Sequence, residues 1–215
     1  MLEKMNEFFA ARLDGYDAHM LDTIEGAREF YPYTASLLPK ARDAKILDLG
    51  CGTGLELEAY YAQGGDAAVT GIDLSAAMLG ALSRKFPDRA IRTVCGSYFD
   101  VPLGEAHFDA AVSVESLHHF PALKKRELYR RLRAALKPGA VFVLTDYFAR
   151  TEEEEREGFA AREAMRRSER LPEGLYHYDT PLTCEHEMEL LNEAGFCTVT
   201  ELCRWGATAV VRAIC

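Results

Sequence analysis

Three glycines on alternate positions, Gly50, Gly52 and Gly54, separate an apolar run, Lys45–Leu49, from a stretch with helical periodicity, and an acid, Asp48, stands just before them. A glycine-rich turn leaving a strand lets the backbone approach a ligand closely and aims helix N–H groups at it, which is how nucleotide-type ligands are held. The second apolar run ends in GIDLS, so Asp73 lies 19 residues beyond Gly54. A carboxylate so placed can accept hydrogen bonds from both hydroxyls of an adenosine ribose. The spacing is not that of a dinucleotide fingerprint. Counted from Gly50, the third glycine of G-x-G-x-x-G would fall at Leu55, and no Walker lysine follows the loop. This disfavours a nicotinamide dehydrogenase. Asp48 would repel a pyrophosphate, whereas it suits a ligand carrying a cationic ammonium group.

The elements that must position these residues alternate strand with helix. Buried-strand patterns occur at Lys45–Leu49, Ala68–Asp73, Ala90–Cys95, Phe108–Val114 and Val141–Tyr147. One helix begins at Gly54 and another follows Ser75, a good N-cap. A third starts at Pro121, with Leu128, Leu132 and Leu136 at i, i+4 and i+8, until Lys137-Pro138-Gly139 stops it. Such alternation predicts a parallel, doubly wound α/β sheet. Met5, Phe9, Leu13, Tyr16 and Met20 form one helical stripe before the first strand. After the fifth strand, Thr151 and Glu154 read as a capping box opening a surface helix. TCEHEMELLNEAGF then predicts a helix closed by Gly195, followed by two β-like stretches, Thr198–Arg204 and Thr208–Ile214. The organisation expected is a single domain over 1–215. Its parts are an N-terminal helical cap (1–40), a ligand-binding core (41–147), a helical insert or lid (148–182) and a C-terminal helix with a strand pair (183–215).

Composition narrows the partners. A formal net charge of -9 means that the chain as a whole repels phosphate backbones, so a nucleic-acid partner would need a local basic patch. KKRELYRRLR and the arginines Arg162, Arg166, Arg167 and Arg170 are the two candidates. The leucines of the first share one face, leaving its charges for solvent, and Glu163 and Glu169 lie among the arginines of the second, where intrahelical pairs account for them. The six cysteines contain no C-x-x-C pair, which argues against a zinc knuckle or a disulfide framework and fits a reducing compartment. No metal site is expected. The start, MLEKMNEFF, has no signal-peptide apolar region and no run is long enough to span a bilayer, so a soluble cytoplasmic protein without membrane contact is expected.

Over Lys45–Tyr147 the chain resembles the class I S-adenosylmethionine-dependent methyltransferases, specifically the small-molecule branch called methyltransferase type 11/12. The resemblance runs through ILDLGCGTG, GIDLS, FDAAVSVESLHHF and LKPGAVFVLTDY, and continues weakly into TPLTCEHEMELLNEAGF. It implies a Rossmann-like seven-stranded sheet, mostly parallel with an antiparallel last strand, plus a helical cap. It further implies S-adenosylmethionine as cofactor and S-adenosylhomocysteine as product. By that resemblance Asp48 and the backbone of Gly50 and Gly52, with Cys51 and Gly54 in the same loop, would hold the methionine moiety, and Asp73 the ribose. Leu74 and Met78 would flank the adenine, and Tyr16 and Glu115 would border the cofactor. In CGSYFDVPL the family often has an acid that contacts the adenine amino group, where this chain has Ser97, with Tyr98 beside it. The residues Glu115–His118 would lie beside the transferable methyl.

Methyl transfer displaces a neutral thioether in line, so proximity and alignment can supply much of the catalysis, and a base is needed only where the acceptor must lose a proton. The candidates are Glu115, His118, His119, Asp146 and Tyr147, with His118, Glu115 and Tyr147 placed first and histidine the natural base near neutral pH. Tyr16, His19, Tyr31, Tyr33, Tyr176, His177 and Tyr178 could form an aromatic lid that excludes water and takes a flat or cationic acceptor. A small-molecule acceptor and a monomer or homodimer are expected. A tRNA-modifying enzyme or a non-catalytic S-adenosylmethionine binder stands as the alternative. A sensor would fill the acceptor space with side chains such as Tyr176 or His118, whereas an enzyme needs it open.

Overall fold

A computed structural model of the chain describes residues 2–172 and 174–215. The first five strands are β1 (Lys45–Leu49), β2 (Ala68–Asp73), β3 (Ile91–Cys95), β4 (Phe108–Val114) and β5 (Leu136–Tyr147), and β6 (Thr198–Trp205) and β7 (Thr208–Ile214) complete one sheet in the order β3-β2-β1-β4-β5-β7-β6. Pairings among β1 to β5 are parallel, and β7 runs antiparallel to both β5 and β6. Before β1 come α1 (Met5–Ala11), α2 (Tyr16–Thr23) and α3 (Ala27–Ser36). Next in the chain are α4 (Leu55–Ala62), α5 (Ala76–Lys85), α6 (Ala122–Ala135), α7 (Glu152–Glu169) and α8 (Cys184–Glu193).

Alternation along the strands decides which side chains meet which helices. Leu47, Leu49, Ala111, Phe142, Leu144 and Val211 pack with α6 and α8 on one face. Ile46, Ala110, Val112, Val143 and Val210 pack with α3 and α4 on the other. Both faces are therefore covered, as the parallel sheet demands, and each fully buried aliphatic side chain contributes roughly 1.5–3 kcal/mol. Because Asp48 alternates with Leu47 and Leu49, its carboxylate points to the α4 face.

Several expectations are corrected. The stripe Met5–Met20 is not one helix, because Gly15 adopts φ +82° and caps α2, splitting the stripe between α1 and α2. Leu136 ends no helix. It pairs with Phe108 as the first residue of β5, and a bulge then carries the register to Ala110–Val141, so β5 runs through Lys137-Pro138-Gly139. The connection from β3 to β4 contains no helix. Thr151 caps α7 through Glu154 N (3.1 Å), but Glu154 Oε2 returns to the N–H of Arg150 (2.9 Å), not of Thr151. The basic stretch on α6 is not wholly solvated either. Lys125 is buried 2.5 Å from Glu187 of α8, which also accepts from Tyr129 Oη. Arg131 donates to the carbonyls of Tyr98, Phe99 and Val101, pinning the β3–β4 connection.

Candidate active site

The glycine turn is shaped by contacts that exclude side chains. Gly50 has φ +79°, and a Cβ there would stand 2.1 Å from Ser116 Oγ, so both conformation and space require glycine. The N–H of Gly52 and that of Ser75 donate to the two oxygens of Asp73 at 3.0 and 2.7 Å, which fastens the turn to the end of β2. Burial pushes the Asp73 carboxyl up, against the pull of those two amides.

Beneath the turn lies an acid that sequence reading missed. Glu56, in the first turn of α4, is buried with Asp48, and neither oxygen of Asp48 nor Oε1 of Glu56 has a hydrogen-bond partner. Burial and then the neighbouring Glu56 hold Asp48 well above the carboxylate range, and burial pushes Glu56 up to about 7. A cationic group brought beside these two buried carboxyls would stabilise their ionised forms.

The cleft above is lined by Gly50, Gly52, Asp73, Leu74, Met78, Tyr98, Glu115 and Tyr16 of the residues singled out in the sequence, together with Met5, Phe9, Ser116 and His119. Cys51 and Gly54 border a small adjoining space with Tyr31 and Glu56. Two expected contacts fall outside. Asp48 lies below the turn, and the Ser97 hydroxyl accepts from Phe99 N (3.1 Å) in its own local turn. The cleft measures only about 50 Å³, and Met5 and Phe9 of α1 form part of its wall.

A larger chamber of about 610 Å³ adjoins it, and Phe9, Tyr16, Glu115 and His119 line both. Glu115 occupies the left-handed region at φ +48°, rare for a side chain of its size, and Thr208 Oγ1 donates to its Oε1 at 2.9 Å. Burial raises its carboxyl to about 7 despite the nearby His118. His118 and His119 form a short 3-10 turn, Leu117–His119, just after β4. His118 Nδ1 is 2.5 Å from Asp146 Oδ1, whose other oxygen accepts from Leu117 N at 2.9 Å. Burial opposes a charge on His118, yet Asp146, with Glu115 and Asp179 behind it, raises the imidazole to about 9. An imidazolium has no lone pair to offer, so His118 does not meet the expectation of a free base near neutral pH.

Tyr147 lines neither space. Its ring stands edge-on to His118 at 5.9 Å and supports that ring instead. Of the aromatic lid, His19 and His177 line the chamber with Tyr16, while Tyr33 packs on Trp205 at 5.9 Å and Tyr176 is buried behind α1. The lid is tied to the amino-terminal segment by backbone bonds, Met5 N to Leu175 O and His177 N to Glu3 O, both 3.0 Å. Asp179 was not foreseen. An aspartate before Thr-Pro reads as a turn former, and nothing local marks it as facing two histidines.

Sheet order, glycine turn and acid at the end of β2 define a Rossmann-like α/β protein with a nucleoside-type site. Residues 46–139 match the family model described as a methyltransferase domain. An O-methyltransferase of Penicillium expansum is 36% identical over 116 residues, covering 51% of this chain and 40% of that protein. A 24-methylenesterol C-methyltransferase of Oryza sativa subsp. japonica is 32% identical over 123 residues, covering 55% and 33%. The chain thus spans less than half the length of these relatives. A candidate O-methyltransferase of Nostoc punctiforme PCC 73102 shares the fold, with TM-score 0.71 and 18% identity over 99% of this chain and 62% of that one. Over residues 46–139 the chain is similar to S-adenosylmethionine-dependent methyltransferases, a family whose cofactor is S-adenosylmethionine. No helix among the described residues is long and apolar enough to cross a membrane.

Proposed function

We propose that the protein transfers a methyl group from S-adenosylmethionine to a small molecule held in the 610 Å³ chamber. The observation that carries this is the shared wall: a chamber of small-ligand size meets the cofactor cleft at Tyr16, Glu115 and His119. A sensor would have filled that space.

The residues present fit the cofactor. The orphaned Asp48–Glu56 pair answers an ammonium group, Asp73 a pair of ribose hydroxyls, and Leu74 and Met78 a flat apolar ring. S-adenosylmethionine supplies an electrophilic methyl on a sulfonium. Glu115 is the carboxyl facing both spaces, so it is placed to take a proton from an acceptor hydroxyl or ammonium, with Thr208 orienting it. His119 and Tyr16 wall the junction and exclude water from it. Two charges of the basic helix α6 are consumed internally, Lys125 by Glu187 and Arg131 by carbonyls, which favours a small acceptor over tRNA. All six cysteines are free thiols, which suits the cytoplasm.

Calorimetric titration with S-adenosylmethionine, S-adenosylhomocysteine and NADH, on the native protein and Asp73→Ala, tests the cofactor assignment. Binding of both sulfur ligands but not NADH is expected, weakened about 10–100-fold in the variant, since hydrogen bonds to a charged group contribute roughly 1.5–3 kcal/mol. Labelled methyl transfer to a panel of hydroxylated and amine acceptors then tests the reaction. Binding of neither sulfur ligand would end the assignment.

A further inference from the structure

On the chamber wall three imidazoles converge on one carboxylate oxygen. Asp179 Oδ1 lies 3.0 Å from His119 Nδ1, 3.6 Å from His118 Nε2 and 3.9 Å from His177 Nε2. We propose that His118, His119 and Asp179 form a binding site for a divalent transition-metal ion of the zinc type, with a fourth coordination position open to the chamber.

Distance supports this first. Ligand bonds of about 2.0–2.2 Å in a tetrahedron put neighbouring donor atoms about 3.3–3.5 Å apart, and the separations of 3.0 and 3.6 Å from Asp179 to His119 and His118 straddle that value. A nitrogen set with one carboxylate suits zinc and its neighbours over calcium or magnesium, which take oxygen, and the ion would displace from Nε2 the proton that the surrounding carboxylates favour on His118.

A second observation concerns His119. His119 is 4% exposed, and its Nδ1 faces Asp179 Oδ1 at 3.0 Å and has no other polar partner among the described residues. A buried ring nitrogen whose one polar neighbour is a carboxylate oxygen is a donor pair that a metal ion can bridge.

The surroundings are those of an organised site. Asp146 holds Nδ1 of His118 at 2.5 Å, which turns Nε2 toward Asp179, the carboxylate–histidine arrangement that orients metal ligands. Thr180 N donates to His118 O at 2.9 Å, locking the segment that carries His177 and Asp179 to the turn that carries His118 and His119. The His177 ring is stacked on Phe8 at 3.5 Å with 8° between planes. A metal here would face the chamber, where it would coordinate an oxygen or nitrogen of the acceptor. That role rests on the function proposed above; the site itself does not.

The test uses the full chain, stripped with chelator and titrated with Zn²⁺ by calorimetry and with Co²⁺ by visible absorption, in parallel with S-adenosylmethionine. Expected are a single tight metal per chain and the intense visible bands of tetrahedral Co²⁺, without the near-ultraviolet charge-transfer band that thiolate ligation by the free cysteines would give. Asp179→Asn, at a half-exposed side chain and so the variant safest for folding, should weaken Zn²⁺ by at least about tenfold. Asp146→Asn should weaken it about 10–100-fold through His118. No saturable metal binding, a thiolate spectrum, or unchanged affinity in a folded Asp179→Asn protein would each overturn the site. Metal binding without S-adenosylmethionine binding would keep the site and overturn the methyltransferase; the reverse would do the opposite.

Discussion

Nδ1 of His118 stands 2.5 Å from Oδ1 of Asp146, although 28 positions separate them in the chain. They meet because β4 and β5 are parallel neighbours with Val114 opposite Thr145, so the turn leaving one strand lies over the end of the other. Asp146 also takes the N–H groups of Leu117 and Tyr147. Asp146→Ala would strand a buried imidazole and two amides. It is expected to cost about 3–5 kcal/mol of stability in urea denaturation. A cost under about 1 kcal/mol would show that the pair does not hold the turn.

Glu56 predicts how stability depends on pH. Its ordinary pKa is 4.5 and burial raises it to about 7 in the folded chain. Between those values the native protein keeps a proton on Glu56 that the unfolded chain has released, so the contribution of Glu56 to stability falls as pH rises through that window, as does that of Glu115. Glu56→Gln should flatten this slope and stabilise the ligand-free protein above pH 7 by on the order of 3 kcal/mol. The same substitution should weaken S-adenosylmethionine at that pH. A parallel pair of stability–pH curves for native protein and variant would refute the assignment.

Two glycines with the same backbone conformation should respond differently to alanine. Gly15 has φ +82° with nothing within 4 Å of an added Cβ, so Gly15→Ala carries only the left-handed penalty of about 1–2 kcal/mol. Gly50 has φ +79° and would drive its Cβ into Ser116, so Gly50→Ala should cost more than about 3 kcal/mol and abolish cofactor binding. Thermal melts and titrations of both variants decide it. Equal losses would mean that strain, not the close approach, makes Gly50 necessary.

The cleft of about 50 Å³ is far below the roughly 300–1,000 Å³ of ligand pockets, and Met5 and Phe9 of α1 line it. This helix has seven residues and is anchored by a bridge between Lys4 and Tyr176 and a few backbone bonds. Hydrogen exchange of residues 4–11 should therefore change on adding S-adenosylmethionine, while the amides of β1 and β4 stay protected. Unchanged exchange in α1 at saturating cofactor would require another route of entry.

Much of the fold was legible in one dimension. The strands β1, β2 and β4 match their sequence patterns to the residue, as do the caps Ser75 and Thr151. These features rest on local physics: apolar runs long enough to be buried, hydroxyls that satisfy helix N–H groups, glycines where φ is positive. The misreadings also have local causes. Leu136 continues the i, i+4 rhythm of α6, and only its pairing with Phe108 claims it for the sheet. The stripe through Leu13 looks continuous because hydrophobic spacing says nothing of the left-handed turn at Gly15.

By itself, then, the sequence determined a glycine turn before a helix, an acid at the end of the second strand and a doubly wound sheet to carry them. Each is encoded within a short window of chain. Only the tertiary structure decided that Glu56 shares the floor of the cleft with Asp48, that Lys125 is internal, and that His118, His119 and His177 gather around Asp179. Those meetings join segments that backbone preference does not relate. They depend on sheet register and on how the lid packs across the strand ends, where the free energy lies in contacts between distant parts of the chain.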